Sequence, residues 1–212
     1  MKRLEIDFLD LPYSESTYSE LATELAGLPW NTLEFANWSR AYPSETQANF
    51  QIAYQGSHLF IHYQVQEQYI KANYIRPNEN VWEDSCVEFF LSLDAGKTYY
   101  NFEFNVLGTG LIGFGPSLKS DRQRLKDSEI QSVDTYTAVK NIQGKKEWRI
   151  ILAIPLSLFG KEGHQLNGKI VHANFYKCGD KLPNPHFLSW NEVLSETPNF
   201  HLPEYFGEIQ FK

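Results

Sequence analysis

Polar and apolar residues alternate along most of this chain. Leu59, Ile61, Tyr63 and Val65 are separated by Phe60, His62 and Gln64, and Val87, Phe89, Leu91 and Leu93 by Glu88, Phe90, Ser92 and Asp94. The same period of two runs through residues 100–106, 148–154 and 171–175, and residues 206–211 read as a closing strand. Successive side chains of a strand point to opposite faces, so each segment has one face for a core and one for something else. Short turns rich in Gly, Asn, Asp and Pro join them. The pattern predicts an all-β fold, a two-sheet antiparallel β-sandwich of jelly-roll or immunoglobulin-like kind. One short N-terminal helix is predicted over residues 14–26, where serines precede Glu20 and Leu21 and Leu25 lie four apart.

The longest polar stretch, residues 116–134, is too short to act as a linker between domains, and no repeat divides the chain. Residues 1–212 therefore form one domain, a length that supports a core without disulfide or metal. The net charge of -7 and pI of about 5.4 argue against a nucleic-acid partner, which needs a basic face. Lys119, Arg122, Arg124 and Lys126 gather in sequence, but Asp121 and Asp127 interrupt them, so the run reads as a solvated loop. Nothing approaches the ~18 apolar residues of a membrane span, so no membrane partner is expected. The N-terminus has no apolar signal-peptide core, which leaves a cytoplasmic protein, or a secreted one whose leader was removed. Cys86 and Cys178 fit no CxxC or zinc spacing and are expected to be free, buried and reduced.

Gly108, Gly110 and Gly113 form a literal GxGxxG, but Phe114, Gly115 and Pro116 follow, which cannot open a phosphate-binding helix. There is no GxSxG and no HExxH. Glu88 and Glu103 lie on the polar faces of consecutive predicted strands and become cross-strand neighbours about 5 Å apart. Two carboxyls at that spacing could serve a glycoside hydrolase, and they repel unless a proton, a cation or a ligand stands between them. A haem-binding or protein-interaction sandwich is the other alternative to binding sugar. Trp82, just before a strand and among acidic residues, is poorly placed for a core. A rim tryptophan beside a polar sheet face suits sugar recognition, a stacking ring with fixed acceptors for hydroxyls.

The ordered set of Trp82-Glu83-Asp84 to Glu88, then Asn101-Phe102-Glu103-Phe104-Asn105, Glu147-Trp148-Arg149 to Ile154-Pro155, Asn174, Ser189-Trp190 and Pro203 to Gly207 resembles the family 9 carbohydrate-binding modules. It runs from about residue 30 to the C-terminus. The resemblance implies non-catalytic binding of a mono- or oligosaccharide end between two aromatic rings, matched here by Trp82 and Phe200. Glu88 matches the family's carboxylate acceptor, and Asn101, Glu103 and Asn174 are the further candidates for hydrogen bonds. Phe200 replaces a tryptophan of the family, and an arginine of the family falls at Glu103. Trp190 looks structural. The resemblance also implies no required cofactor, a structural calcium held by ligands that the residues do not single out, and a glycoside hydrolase partner in polysaccharide degradation.

Overall fold

The computed structural model describes residues 1–10, 13 and 17–212. The long strands are β1 (Arg3–Phe8), β4 (Gln47–Tyr54), β5 (His58–Glu67), β6 (Cys86–Ser92), β7 (Tyr99–Asn105), β8 (Gly110–Gly115), β10 (Asp134–Ile142), β11 (Lys145–Pro155), β12 (Ile170–Cys178) and β14 (Gly207–Phe211). Short strands β2 (Asn31–Thr32), β3 (Phe35–Ala36), β9 (Gln123–Arg124) and β13 (Phe187–Ser189) attach to them. The order is β10-β11-β5-β4-β1-β14-β12-β6-β7-β8-β9. Every pairing is antiparallel except those of β1, which runs parallel to both β4 and β14. The predominantly β fold agrees with the alternation in the sequence. The topology differs from the expected pair of antiparallel sheets, because β1 joins the two halves into one curled, mixed sheet. Only the pairing of strands distant in sequence allows that parallel insertion, since parallel neighbours need long connections.

The two halves meet through their apolar faces. Ile52, Ile61, Tyr63, Trp148 and Ile150 of one half pack with Val87, Phe89, Phe102, Phe104 and Phe175 of the other. Phe50 of β4 stacks on Phe175 of β12 at 3.7 Å. Trp190 is buried in this core, edge-on to both rings, in the structural place the sequence resemblance implied.

Each half has a different outer face. The helix α1 (Tyr18–Ala26) covers the β4–β5–β11 side, burying Leu21 and Leu25 against Ala53, Phe60, Ile151 and Ala153. Its start is fixed by a capping box, in which Thr17 Oγ1 accepts from the Glu20 N–H and Glu20 Oε2 accepts from the Thr17 N–H. Residues 14–16 of the predicted helix lie outside the described residues. Single helical turns also occur far from this end, at Val81–Glu83, Lys119–Asp121, Asp127–Ile130 and Pro203–Tyr205, as does a longer kinked segment at Leu156–Gln165, so helix is not confined to the N-terminal region. Among the described residues, the outer face of β6, β7 and β12 is covered by loops and short helical turns and not by a helix like α1. Loops carrying Trp38, Trp82, Phe200 and Tyr205 close around it and leave a cleft.

Candidate functional site

Strand register builds the floor of this cleft. Glu88 of β6 lies directly opposite Glu103 of β7 on one side and Tyr176 of β12 on the other. Asn101 lies opposite Gly113, and a Cβ at Gly113 would meet Asn101 Oδ1 at 2.5 Å, so glycine here admits the asparagine side chain. The glycine-rich segment that mimicked a nucleotide motif is thus a strand that keeps the floor low. The cleft has a volume of about 390 Å³. Trp82, Glu88, Asn101, Glu103 and Phe200 all line it, joined by Arg122, Arg124, Cys178 and His201.

Trp82 sits on the helical turn Val81–Glu83, where its half-buried ring forms the rim while its carbonyl accepts from the Asp180 N–H. The neighbouring Asp84 does not face the cleft. It is fully buried, and its Oδ2 accepts from the backbone N–H of Asn73 and Tyr74 and from Asn105 Nδ2, while the Lys71 ammonium lies 3.5 Å from Oδ1. One acidic residue of the tryptophan motif therefore shapes the loop that carries the ring, and Glu88 reaches the floor.

Phe200 is more enclosed than a stacking ring at a rim. One face packs on Tyr176 with centroids 4.1 Å apart, and Trp38 and Phe187 press on its edges. It forms a wall of the cleft rather than a free second platform. Asn174 is not brought to the cleft at all. It is fully buried, with Nδ2 donating to the Asn191 and Tyr205 carbonyls and Oδ1 accepting from the Phe175 and Asn191 N–H groups.

The floor is electrostatically unusual. Glu88 and Glu103 are each only 4% exposed and face one another with no ion pair to a cation among the described residues. Burial pushes the Glu103 carboxyl up to about 7, and burial followed by repulsion from Glu103 pushes Glu88 well above the usual range. Cys178 Sγ donates to Glu88 Oε1 at 2.9 Å, and Asn101 Nδ2 donates to Glu103 Oε1 at 2.8 Å. Among the described residues, Glu103 Oε2 is buried with no hydrogen-bond partner. An unpartnered buried oxygen costs roughly 1–3 kcal/mol, so a ligand that donates to it recovers that amount.

The basic run at 119–126 is not merely a solvated loop. β9 pairs with β8, and together with the segment that leads into it brings Lys119, Arg122 and Arg124 onto the cleft wall. Arg122 lies flat over the Tyr99 ring at 3.9 Å and donates to the carbonyls of Gly115, Pro116 and Tyr99 and to Asn101 Oδ1. Arg124 reaches over the Trp82 ring. Guanidinium groups thus enter the cleft from the neighbouring strand, although the position where the family carries an arginine holds Glu103. The spacing of Arg122 and Arg124 by two residues was the available signal, a period-two pair on one side of an extended segment.

Calcium does not suit the metal-ligating cluster that the fold creates. Among the described residues, Cys86, Glu88 and Cys178 form such a group, and two thiols are a poor donor set for a hard cation.

The profile of the carbohydrate-binding family 9 matches residues 19–211. No curated protein matches the chain. A protein from Bacteroides uniformis ATCC 8492, described as carbohydrate-binding, is 34% identical over 100% of this chain and 99% of its own, with a TM-score of 0.88. A family 9 module from Caldicellulosiruptor kristjanssonii in complex with cellotriose has the same fold, with 15% identity, coverage of 100% and 94%, and a TM-score of 0.65. Its complex with glucose gives 15% identity, coverage of 100% and 96%, and 0.63. With its profile match nearly end to end and its tryptophan-to-glutamate strand entry in place, the chain belongs to carbohydrate-binding family 9.

Proposed function

We propose that this protein binds the end of a mono- or oligosaccharide in the cleft and performs no chemistry on it. Trp82 offers a stacking ring, Glu88 and Glu103 accept hydroxyl protons, and Asn101, Arg122 and Arg124 complete the polar contacts. Phe200 closes the apolar wall, and Asn174 acts at one remove by anchoring the loops at Asn191 and Tyr205. The observation that carries the reading is the half-buried Trp82 ring at the mouth of a cleft whose floor holds the unpartnered Glu103 Oε2. A sugar hydroxyl supplies the missing donor, and a pyranose face covers the ring. The family 9 complexes with glucose and cellotriose support the ligand class.

Calorimetric titration with glucose, cellotriose and a wider glycan panel tests it. The expected affinity is about 4–8 kcal/mol, millimolar to micromolar. Trp82→Ala loses roughly 1–2 kcal/mol of it, with a melting temperature close to wild type. Full affinity in Trp82→Ala, or no heat with any sugar, defeats the assignment.

One observation favours a second reading. Glu88 and Glu103 face each other as register partners, a spacing of about 5 Å that suits a retaining glycosidase. Release of reducing sugar by the wild type and its loss in Glu88→Gln is the result that would establish it. A glycoside hydrolase acting in polysaccharide degradation is the partner that fits the binding reading, and co-purification from cells grown on the bound glycan tests that pairing.

A further inference from the structure

The cleft floor carries two thiols that sugar binding leaves unused. Cys86 and Cys178 are register partners on β6 and β12, both free and buried, and both point to the same outer face as Glu88. One ligand atom from each of Cys86, Glu88 and Cys178 lies within 4.8 Å of the other two. Tetrahedral zinc, with bonds of about 2.3 Å to sulfur and 2.0–2.2 Å to oxygen, needs ligand atoms about 3.5–3.8 Å apart. Small rotamer changes close that difference.

We propose that Cys86, Cys178 and Glu88 form a site for a thiophilic divalent cation, zinc, with its fourth position open to the cleft. Two thiolates and one carboxylate are a borderline-soft donor set, which selects zinc over calcium or magnesium. Three protein ligands with one open position is the arrangement in which zinc accepts an exogenous ligand. Glu88 and Cys178 themselves line the cleft, so an ion has a route in.

A second, independent observation points to the same place. Glu103 faces Glu88, is 4% exposed, and leaves Oε2 buried without a partner among the described residues. A cation next to it supplies the missing positive charge, and a water on the open coordination position can donate to that oxygen. Binding displaces the thiol protons to solvent. The resulting charge of two thiolates and a carboxylate is offset by the ion, by Arg122 and Arg124 on the wall, and by Lys177, the neighbour of Cys178 on the opposite face. The inference does not depend on sugar binding, because the ligand atoms and the test involve the metal alone. It does share Glu88 with the sugar reading, so zinc and sugar are expected to influence one another.

The test uses Co(II) as a spectroscopic probe on the full chain, reduced and metal-free. Wild type should take up one equivalent of Co(II), giving intense near-ultraviolet thiolate-to-cobalt absorption and visible bands of tetrahedral coordination, and one equivalent of Zn(II) should bleach them. Cys178→Ser should weaken binding and the thiolate bands, the double variant Cys86→Ser/Cys178→Ser should abolish the bands, and Glu88→Gln should weaken binding at least about 10-fold, the lower end of what even outer-shell groups contribute. Glu103→Gln should keep the thiolate bands. Absence of thiolate absorption in the wild type overturns the proposal without reference to any variant. Thiolate bands that survive in Cys86→Ser/Cys178→Ser overturn it equally.

Discussion

Two carboxylate clusters are buried in this protein, and they are opposites. Glu67 lies between the halves of the sheet, where Lys177 Nζ sits 3.0 Å from Oε2 and Trp148 Nε1 donates to Oε1 at 2.6 Å. Burial alone would push its carboxyl up, but Lys177 and His186 more than offset this and hold it down at about 2. Glu88 and Glu103, on the outer face of the same β6–β12 region, have no ion pair to a cation among the described residues and are pushed the other way. The first site has brought its counter-charge with it, Lys177 lying against Glu67 Oε2. The second has no such counter-charge, and Glu103 Oε2 is left without a hydrogen-bond partner among the described residues. Burial alone does not separate the two, since Glu67, Glu88 and Glu103 are equally buried; the counter-charge does.

The contrast can be broken most severely at the internal cluster. Lys177→Met leaves Glu67 buried without its partner, and a loss of about 3–5 kcal/mol in unfolding free energy is expected by denaturant titration. Adding Glu67→Gln should restore most of it. If the single variant is as stable as wild type, Glu67 is not held by Lys177 and the comparison collapses.

A smaller effect is expected from Glu103, read as the pH dependence of melting in chelator-treated protein. Its folded pKa is raised from 4.5 to about 7, so between those values the native state holds a proton that the unfolded state has lost. Stability from this group is full below about pH 4.5 and falls as pH rises through about 7. His62 and His201 act with the opposite sign, since burial lowers them to about 4 and about 3 and their stabilising contribution grows as pH climbs to 6.5. Above pH 6.5 only the acids remain, and the melting temperature should decline from 6.5 to 8. Glu103→Gln should flatten that decline, and a wild-type curve that rises across this interval would show that the carboxyl is not raised.

The smallest effect belongs to Arg124, which is exposed at the rim. Arg124→Ala should change sugar affinity by about 1 kcal/mol or less and leave stability unchanged, a difference that calorimetry resolves. A much larger loss would move the centre of recognition from the carboxylates to β9.

Much of this was legible before the structure. Strict alternation in 87–93 and 100–106 sent Glu88 and Glu103 to one face, and consecutive strands with a short turn made them neighbours, as the register shows. Trp82 preceded the strand in an acidic setting and does line the cleft. The internal cluster was missed although its signal was present. Continuing Leu59, Ile61, Tyr63 and Val65 by one step gives Glu67, and continuing Val171, Ala173 and Phe175 gives Lys177, so each strand places a charge where the core begins. Pairing them required knowing which strands oppose across the core, which local periodicity does not encode. Asn174 failed as a site residue for a related reason. Parity gave its face, but the loops at Asn191 and Tyr205 that cover it belong to distant sequence.

The parallel strand β1 has a bearing on how this chain reaches its native state. Residues 3–6 pair with 208–211, and Asp7 and Phe8 pair with Ala53 and Tyr54, so β1 joins two strands far apart in sequence. During synthesis, β1 cannot pair with both β4 and β14 until residues 208–211 have left the ribosome. Contacts of such long sequence separation slow folding, and uncovered strand edges invite intermolecular pairing while they wait. The nascent chain is therefore exposed to aggregation until very late, and removal of the first eight residues should turn a transient hazard into a permanent one.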